Sequence, residues 1–189
     1  MRKKATILLA IAAFGFGGLV AAAALRMERP GERFATVATP HPVWAEVPWP
    51  FPVDPWGKGK AFLCKVSDCG TVVNVYIRAK IGFCNCLTGV SDDEELARIS
   101  DFDLFKNALS PLAPGQGISV AWMKGRSRPF LFEGQATKSV LSVGFNDRCD
   151  AIIATAVIDH HNPLKFESPV MALLNSRKVI GWAEVALGL

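Results

Sequence analysis

The sequence predicts an α+β domain: an antiparallel sheet of short strands, one mid-chain helix and a helical C-terminus, preceded by an N-terminal signal or anchor helix. Three observations carry this. Thr71 to Phe83 alternates apolar and polar residues at period two, the signature of a half-buried strand. Ala151 to Ile158 is a run of β-branched and small apolar residues, which reads as a buried strand. Val179, Trp182, Ala183, Ala186 and Leu187 recur at helical spacing, giving an amphipathic helix. Several strands ahead of a helical end favour α+β over alternating βαβ units.

At the N-terminus, Arg2-Lys3-Lys4 precede an uncharged apolar stretch from Ala5 to Leu25. A basic start, an apolar core and the small residues Ala21 to Ala24 make a secretory signal. The competing reading is an uncleaved anchor, since about 20 apolar residues suffice to cross a bilayer. Both readings export the rest of the chain, because basic residues before the run stay on the cytoplasmic side. Residues 1–24 are therefore the signal peptide or membrane anchor, 25–47 a Pro-rich linker, and 48–189 the exported domain.

The chain has 189 residues, half of them hydrophobic, and a formal net charge of +4. Removing Arg2, Lys3 and Lys4 from its 21 basic residues leaves 18 against 17 acidic ones. That balance gives no global field for nucleic acid. Gly15-Phe16-Gly17-Gly18 is no dinucleotide fingerprint, because Val20 stands at the third glycine position and no strand precedes it.

From Pro48 to Lys58, proline alternates with Trp49, Phe51 and Trp56. Proline blocks both helix and ladder hydrogen bonds, so this is an extended strap whose aromatic residues pack on the domain as a lid. Ala61 to Cys64 is a short strand, and Lys65 to Gly70 carries turn residues. In the next strand Val73, Val75, Ile77, Ala79, Ile81 and Phe83 face the core, with Asn74, Tyr76, Arg78 and Lys80 on a wet face. Ser91 and Glu94 fit a capping box, with Leu96, Ile99 and Phe102 continuing the helix. Ile118 to Met123 and Phe130 to Phe132 flank Lys124-Gly125-Arg126-Ser127-Arg128-Pro129, a hairpin with a basic tip. Lys138 to Val143 fits helix or strand equally. Ser168-Pro169 starts a helix with proline at its first position, and Ser176 caps the last one.

Cysteine is the main chemical lead. Cys64, Cys69, Cys84, Cys86 and Cys149 all lie in the exported part, where disulfides persist. Five allows two intramolecular bridges and one free thiol. Cys64 and Cys69 flank a turn and are the easiest local pair; Cys149 reaches Cys84 or Cys86. On an extended chain Cys84 and Cys86 share a face, so two thiolates there would suit a soft metal, Cu or Zn, or a redox pair. The spacing is neither that of ordinary zinc sites nor that of thioredoxin-like enzymes. Cys149 with His160 or His161 would form a nucleophile and base, the third reading. Lys124, Arg126 and Arg128 are an anion contact for headgroups or an acidic partner, or else a solvated hairpin tip.

The expected function is that of a non-enzymatic, disulfide-stabilised protein of the cell envelope or periplasm, exported or tethered by residues 5–25. It binds a protein partner or assists an assembly, with a membrane surface contact and no nucleic acid. No cofactor is expected on this reading. The alternative is a thiol or metal protein using Cys84 and Cys86, and the weaker one a Cys-His hydrolase or transferase.

Overall fold

The computed structural model describes residues 42–82 and 84–189. The signal or anchor segment, most of the linker and Phe83 lie outside the described residues. The fold is mixed α and β, built on one eight-stranded sheet. Its strands are β1 (Trp44–Val47), β2 (Lys60–Cys64), β3 (Val73–Lys80), β4 (Leu109–Pro111), β5 (Gln116–Val120), β6 (Met123–Phe132), β7 (Ser139–Asp147) and β8 (Asp150–Ile158). They lie in the order β1-β2-β3-β8-β7-β6-β4, with β5 also paired to β6. All pairings are antiparallel. Among the described residues four α-helices accompany them: α1 (Val66–Cys69), α2 (Asp93–Ile99), α3 (Glu167–Leu174) and α4 (Arg177–Leu187).

The register assigns the two faces. Val75 pairs with Ala156 and Ile77 with Ala154, and across the next ladder Val143 meets Ala154 and Phe145 meets Ile152. These side chains form one buried face, covered by Val170, Leu173 and Leu174 of α3 and by Val179, Ala183 and Leu187 of α4. As expected from the sequence, Ser176 caps α4, accepting the Val179 N–H. Within the sheet, a Cβ on Gly125 would fall against the Gly144 carbonyl oxygen of β7. Gly125→Ala must push two paired strands apart, so a loss of about 1–3 kcal/mol is expected in urea unfolding.

The second face departs from the sequence reading. The alternation holds as far as Lys80, where β3 ends; Ile81, expected on the core face, is exposed in the turn beyond, and Arg78 and Lys80 are buried rather than wet. They meet Asp101, the N-cap residue of a 3-10 turn at Phe102–Leu104 after α2, and the strap residues Trp49, Asp54 and Trp56. Alternation shows which residues share a face, but it does not show whether another layer covers that face.

Other boundaries shift for local reasons. Trp44–Val47 pairs with β2 as an edge strand, so ordered pairing begins inside the stretch read as linker. The cap of α2 is Asp92, which accepts the Glu95 N–H, one residue beyond Ser91. Basic residues Lys124 to Arg128 are interior to β6, not a hairpin tip, since the turn falls at Ala121-Trp122. Ala121 adopts positive φ there and gives its N–H to Asn175 Oδ1. Lys138 to Val143 resolves as the start of β7. The helical end begins earlier than Ser168, with a 3-10 turn at Pro163–Phe166 capped by Asn162.

Candidate functional site

The strap is held on the second face by charge as well as by aromatic packing. Trp49 and Phe51 meet edge to face at 5.4 Å, and Phe51 meets Tyr76 at 4.8 Å and Phe105 at 5.7 Å. Arg78 Nε donates to Asp101 Oδ2 at 3.0 Å, Nη2 donates to Asp101 Oδ1, and Nη1 donates to Asp54 on the strap. Lys80 Nζ lies 2.9 Å from Asp101 Oδ1. The Trp49 ring sits 5.7 Å from the Arg78 guanidinium carbon and the Trp56 ring 5.4 Å from Lys80 Nζ. Two cations thus meet two carboxylates, with Arg78 and Asp101 almost wholly removed from water.

Burial works to raise the Asp54 pKa, but the Arg78 guanidinium and the Trp56 N–H outweigh it and hold this carboxyl below its usual range. A carboxyl lowered on folding stabilises the fold above its unfolded pKa, and that contribution is lost as pH falls through the folded value. Acid titration is therefore expected to loosen the strap, read as a change in Trp49 and Trp56 fluorescence below about pH 4. Asp54→Asn should remove that transition. An identical titration in both proteins would place its origin elsewhere.

Beside the strap lies a cavity of about 400 Å³ whose walls include Phe51, Tyr76, Phe105 and Phe132. Asn74, Asn107, Gln135, Lys106 and Lys138 stand at its polar side. Its volume is in the range of small-ligand sites. A second cavity, about 370 Å³, lies on the opposite face among Trp44, Phe62, Leu173 and Lys178. That one is mainly apolar.

The cysteines form two disulfides. Cys64 and Cys69 close the short helix α1 with Cα atoms 6.0 Å apart, as the sequence suggested. Cys86 pairs with Cys149, Cα atoms 4.2 Å apart, and Cys84 keeps a buried thiol. Cys84 N–H donates to the Cys149 carbonyl at 3.2 Å, and its Sγ donates to the Arg148 carbonyl at 3.3 Å. Burial, together with Glu95 and Asp150, pushes this thiol up, against a weaker pull from Arg98.

Cys84 and Cys86 do not share an environment. The chain turns between them: Asn85 Oδ1 accepts the Leu87 N–H, sending Cys84 inward and Cys86 outward. With its sulfur bonded to Cys149, Cys86 offers no thiolate to Cu or Zn in this oxidised state. No cluster of three or more His, Cys, Asp or Glu side chains suited to a metal occurs among the described residues.

The basic cluster on β6 is mostly tied to the fold. Arg126 Nη2 donates to the Gly115 carbonyl and Nη1 to that of Ser91, while Arg128 Nε donates to the Ala113 carbonyl. Both arginines flank Asp93. Burial alone would raise the Asp93 carboxyl, but Arg126, the Gly115 N–H and Arg128 bring it below its usual range. These arginines therefore fasten the α2 start and the 113–115 loop onto β6, and only Lys124 of the three is exposed. His160 and His161 stack at 4.4 Å, and His160 Nδ1 accepts the Asn162 N–H. The nine-residue strand β8 separates Cys149 from His160, roughly 30 Å at about 3.3 Å per residue. The structure does not bring that pair together.

Sequence reading missed Asp54, Asp93 and Asp101 as partners. A signal was present for two of them. A lid of Trp49, Phe51 and Trp56 must lie on something, and a strand face carrying Arg78 and Lys80 beneath it needs buried counter-charges.

No helix among the described residues is long and apolar enough to cross a membrane, and residues 5–25 are outside that set. Comparison with protein-family models, with curated proteins and with solved structures finds no match.

Proposed function

We propose that this chain is a non-enzymatic, disulfide-stabilised binding domain of the cell envelope or periplasm, exported or tethered by residues 5–25. The observation that supports it is the division of labour on the second face. Charged groups that could do chemistry there, Arg78, Lys80, Asp54 and Asp101, are spent on one another. The neighbouring cavity is walled mainly by aromatic rings and carboxamides, groups that recognise a ligand without reacting with it, and of its charged residues Lys138 pairs with Asp159 while Lys106 offers a contact to an acidic group. Two disulfides suit an oxidising compartment, and a protein partner there is the expected occupant.

A photo-crosslinking residue at Gln135 or Asn107, on the cavity side, is expected to give a discrete adduct in the native host. The same residue at Glu184 on α4 should give none. Equal labelling at all three positions would sink the binding reading. Denaturing intact mass on the same material tests export: loss of the N-terminal segment, or its retention in the membrane fraction, supports it. Full-length protein in the soluble cytoplasm counts against it.

The thiol alternative keeps one specific observation in its favour, the buried thiol of Cys84 beside a disulfide.

A further inference from the structure

We infer that Cys149 is a shared partner, for which Cys84 exchanges with Cys86, so that the oxidised domain has two disulfide isomers and a latent thiol. The three cysteines meet at one place. The Cys84 N–H to Cys149 carbonyl bond, 3.2 Å, makes these residues backbone neighbours. Both lie just beyond the paired ends of β3 and β8, and a direct backbone hydrogen bond brings them near the Cα span of about 4.4–6.8 Å that a disulfide bridges. The Cys84 sulfur already rests 3.3 Å from the carbonyl oxygen of Arg148, the residue before Cys149. Cys86, by contrast, is exposed, so its sulfur leaves into water.

The step balances within the chain. Cys84 loses its proton to solvent and the thiolate attacks Cys149 Sγ. The Cys86–Cys149 S–S bond breaks, a Cys84–Cys149 bond forms, and the electron pair departs on the Cys86 thiolate, which takes up a proton. No external oxidant or reductant is consumed. The two isomers differ in what they expose. In the resting form the free thiol is packed with Val90, Leu96 and Ile99, and burial keeps it protonated. After exchange Cys84 must leave that cluster, which loosens the seat of α2, and the free thiol is Cys86 at the surface. A hidden thiol thereby becomes one that can meet a thiol reagent, an oxidised small thiol or a partner's disulfide.

The test uses the oxidised full-length protein and N-ethylmaleimide at pH 8.5 without denaturant. Reduction, labelling with iodoacetamide and tandem mass spectrometry then show which cysteine carried the maleimide. Label is expected at Cys86, with Cys84 recovered as iodoacetamide-labelled. Maleimide confined to Cys84, or absent until denaturant is added, overturns the inference. Cys86→Ser gives an independent reading. Under mild oxidation it should form a Cys84–Cys149 link and show no free thiol. Two free thiols in a chain whose Cys64–Cys69 bridge has formed would overturn it equally, since that bridge reports that the fold was reached.

Discussion

Asp101→Asn is expected to destabilise the domain by about 3–5 kcal/mol, the cost of leaving a buried charge without its partner. Asn keeps the shape but removes the charge that faces Arg78 Nε and Nη2 and Lys80 Nζ together. Arg78 would then keep Asp54 as its carboxylate partner, and Lys80 would lose its contact with Asp101. The comparison that decides the mechanism is Asp54→Asn. Asp54 is 27% exposed against 3% for Asp101, and its loss leaves Arg78 still paired, so about 1 kcal/mol is expected for one partly solvated contact. Replacing Arg78, Lys80, Asp101 and Asp54 together by apolar residues of similar volume should cost far less than Asp101→Asn alone, because no member of the network is left as an orphaned charge. The measurement is the urea midpoint at constant m-value. A loss below about 1 kcal/mol for Asp101→Asn would mean that the network is wet and its members act singly.

That network also marks how far the sequence could be read. Strands β3 and β8 were legible because their patterns are local: period two in one, an unbroken β-branched run in the other. Ser176 and the apolar stripe of α4 were legible for the same reason. Residues far apart in the chain supply the rest. Strand β3 lies beside β8 with Val73 opposite Ile158 and Lys80 opposite Ala151, and no local pattern states that pairing. Nor does any pattern near Asp101 show that it ends against Arg78 and Lys80 of β3. The turn at Ala121-Trp122 was hidden because a non-glycine residue takes positive φ, while Gly125, the apparent turn residue, is needed for close strand approach. Cys64 and Cys69 were readable as a pair from their spacing. Cys86 and Cys149 were not, since the choice between Cys84 and Cys86 depends on a turn at Asn85.

That same choice fixes the second large effect. A disulfide stabilises in proportion to the logarithm of the loop it closes in the unfolded chain. Cys86–Cys149 spans 63 residues of sequence and Cys64–Cys69 spans 5. The chain-entropy account gives about 4 kcal/mol for the first and about 2 for the second. Cys149→Ser should therefore be the most damaging cysteine substitution, lowering stability by about 4 kcal/mol, and it leaves both Cys84 and Cys86 as free thiols. Cys86→Ser separates two outcomes. If Cys86 is the sole partner of Cys149, the two variants should be equally unstable. If Cys84 takes its place, the new loop is of nearly the same length, and oxidised Cys86→Ser should retain most of the stabilisation. The remaining deficit is then the packing that Cys84 gives up beside Leu96 and Ile99, about 1 kcal/mol for one small side chain. Adding reductant should bring both variants to the same urea midpoint, because no bridge to Cys149 survives in either. A gap that persists after reduction would locate the difference in packing at position 86 or 149 and not in the bridge.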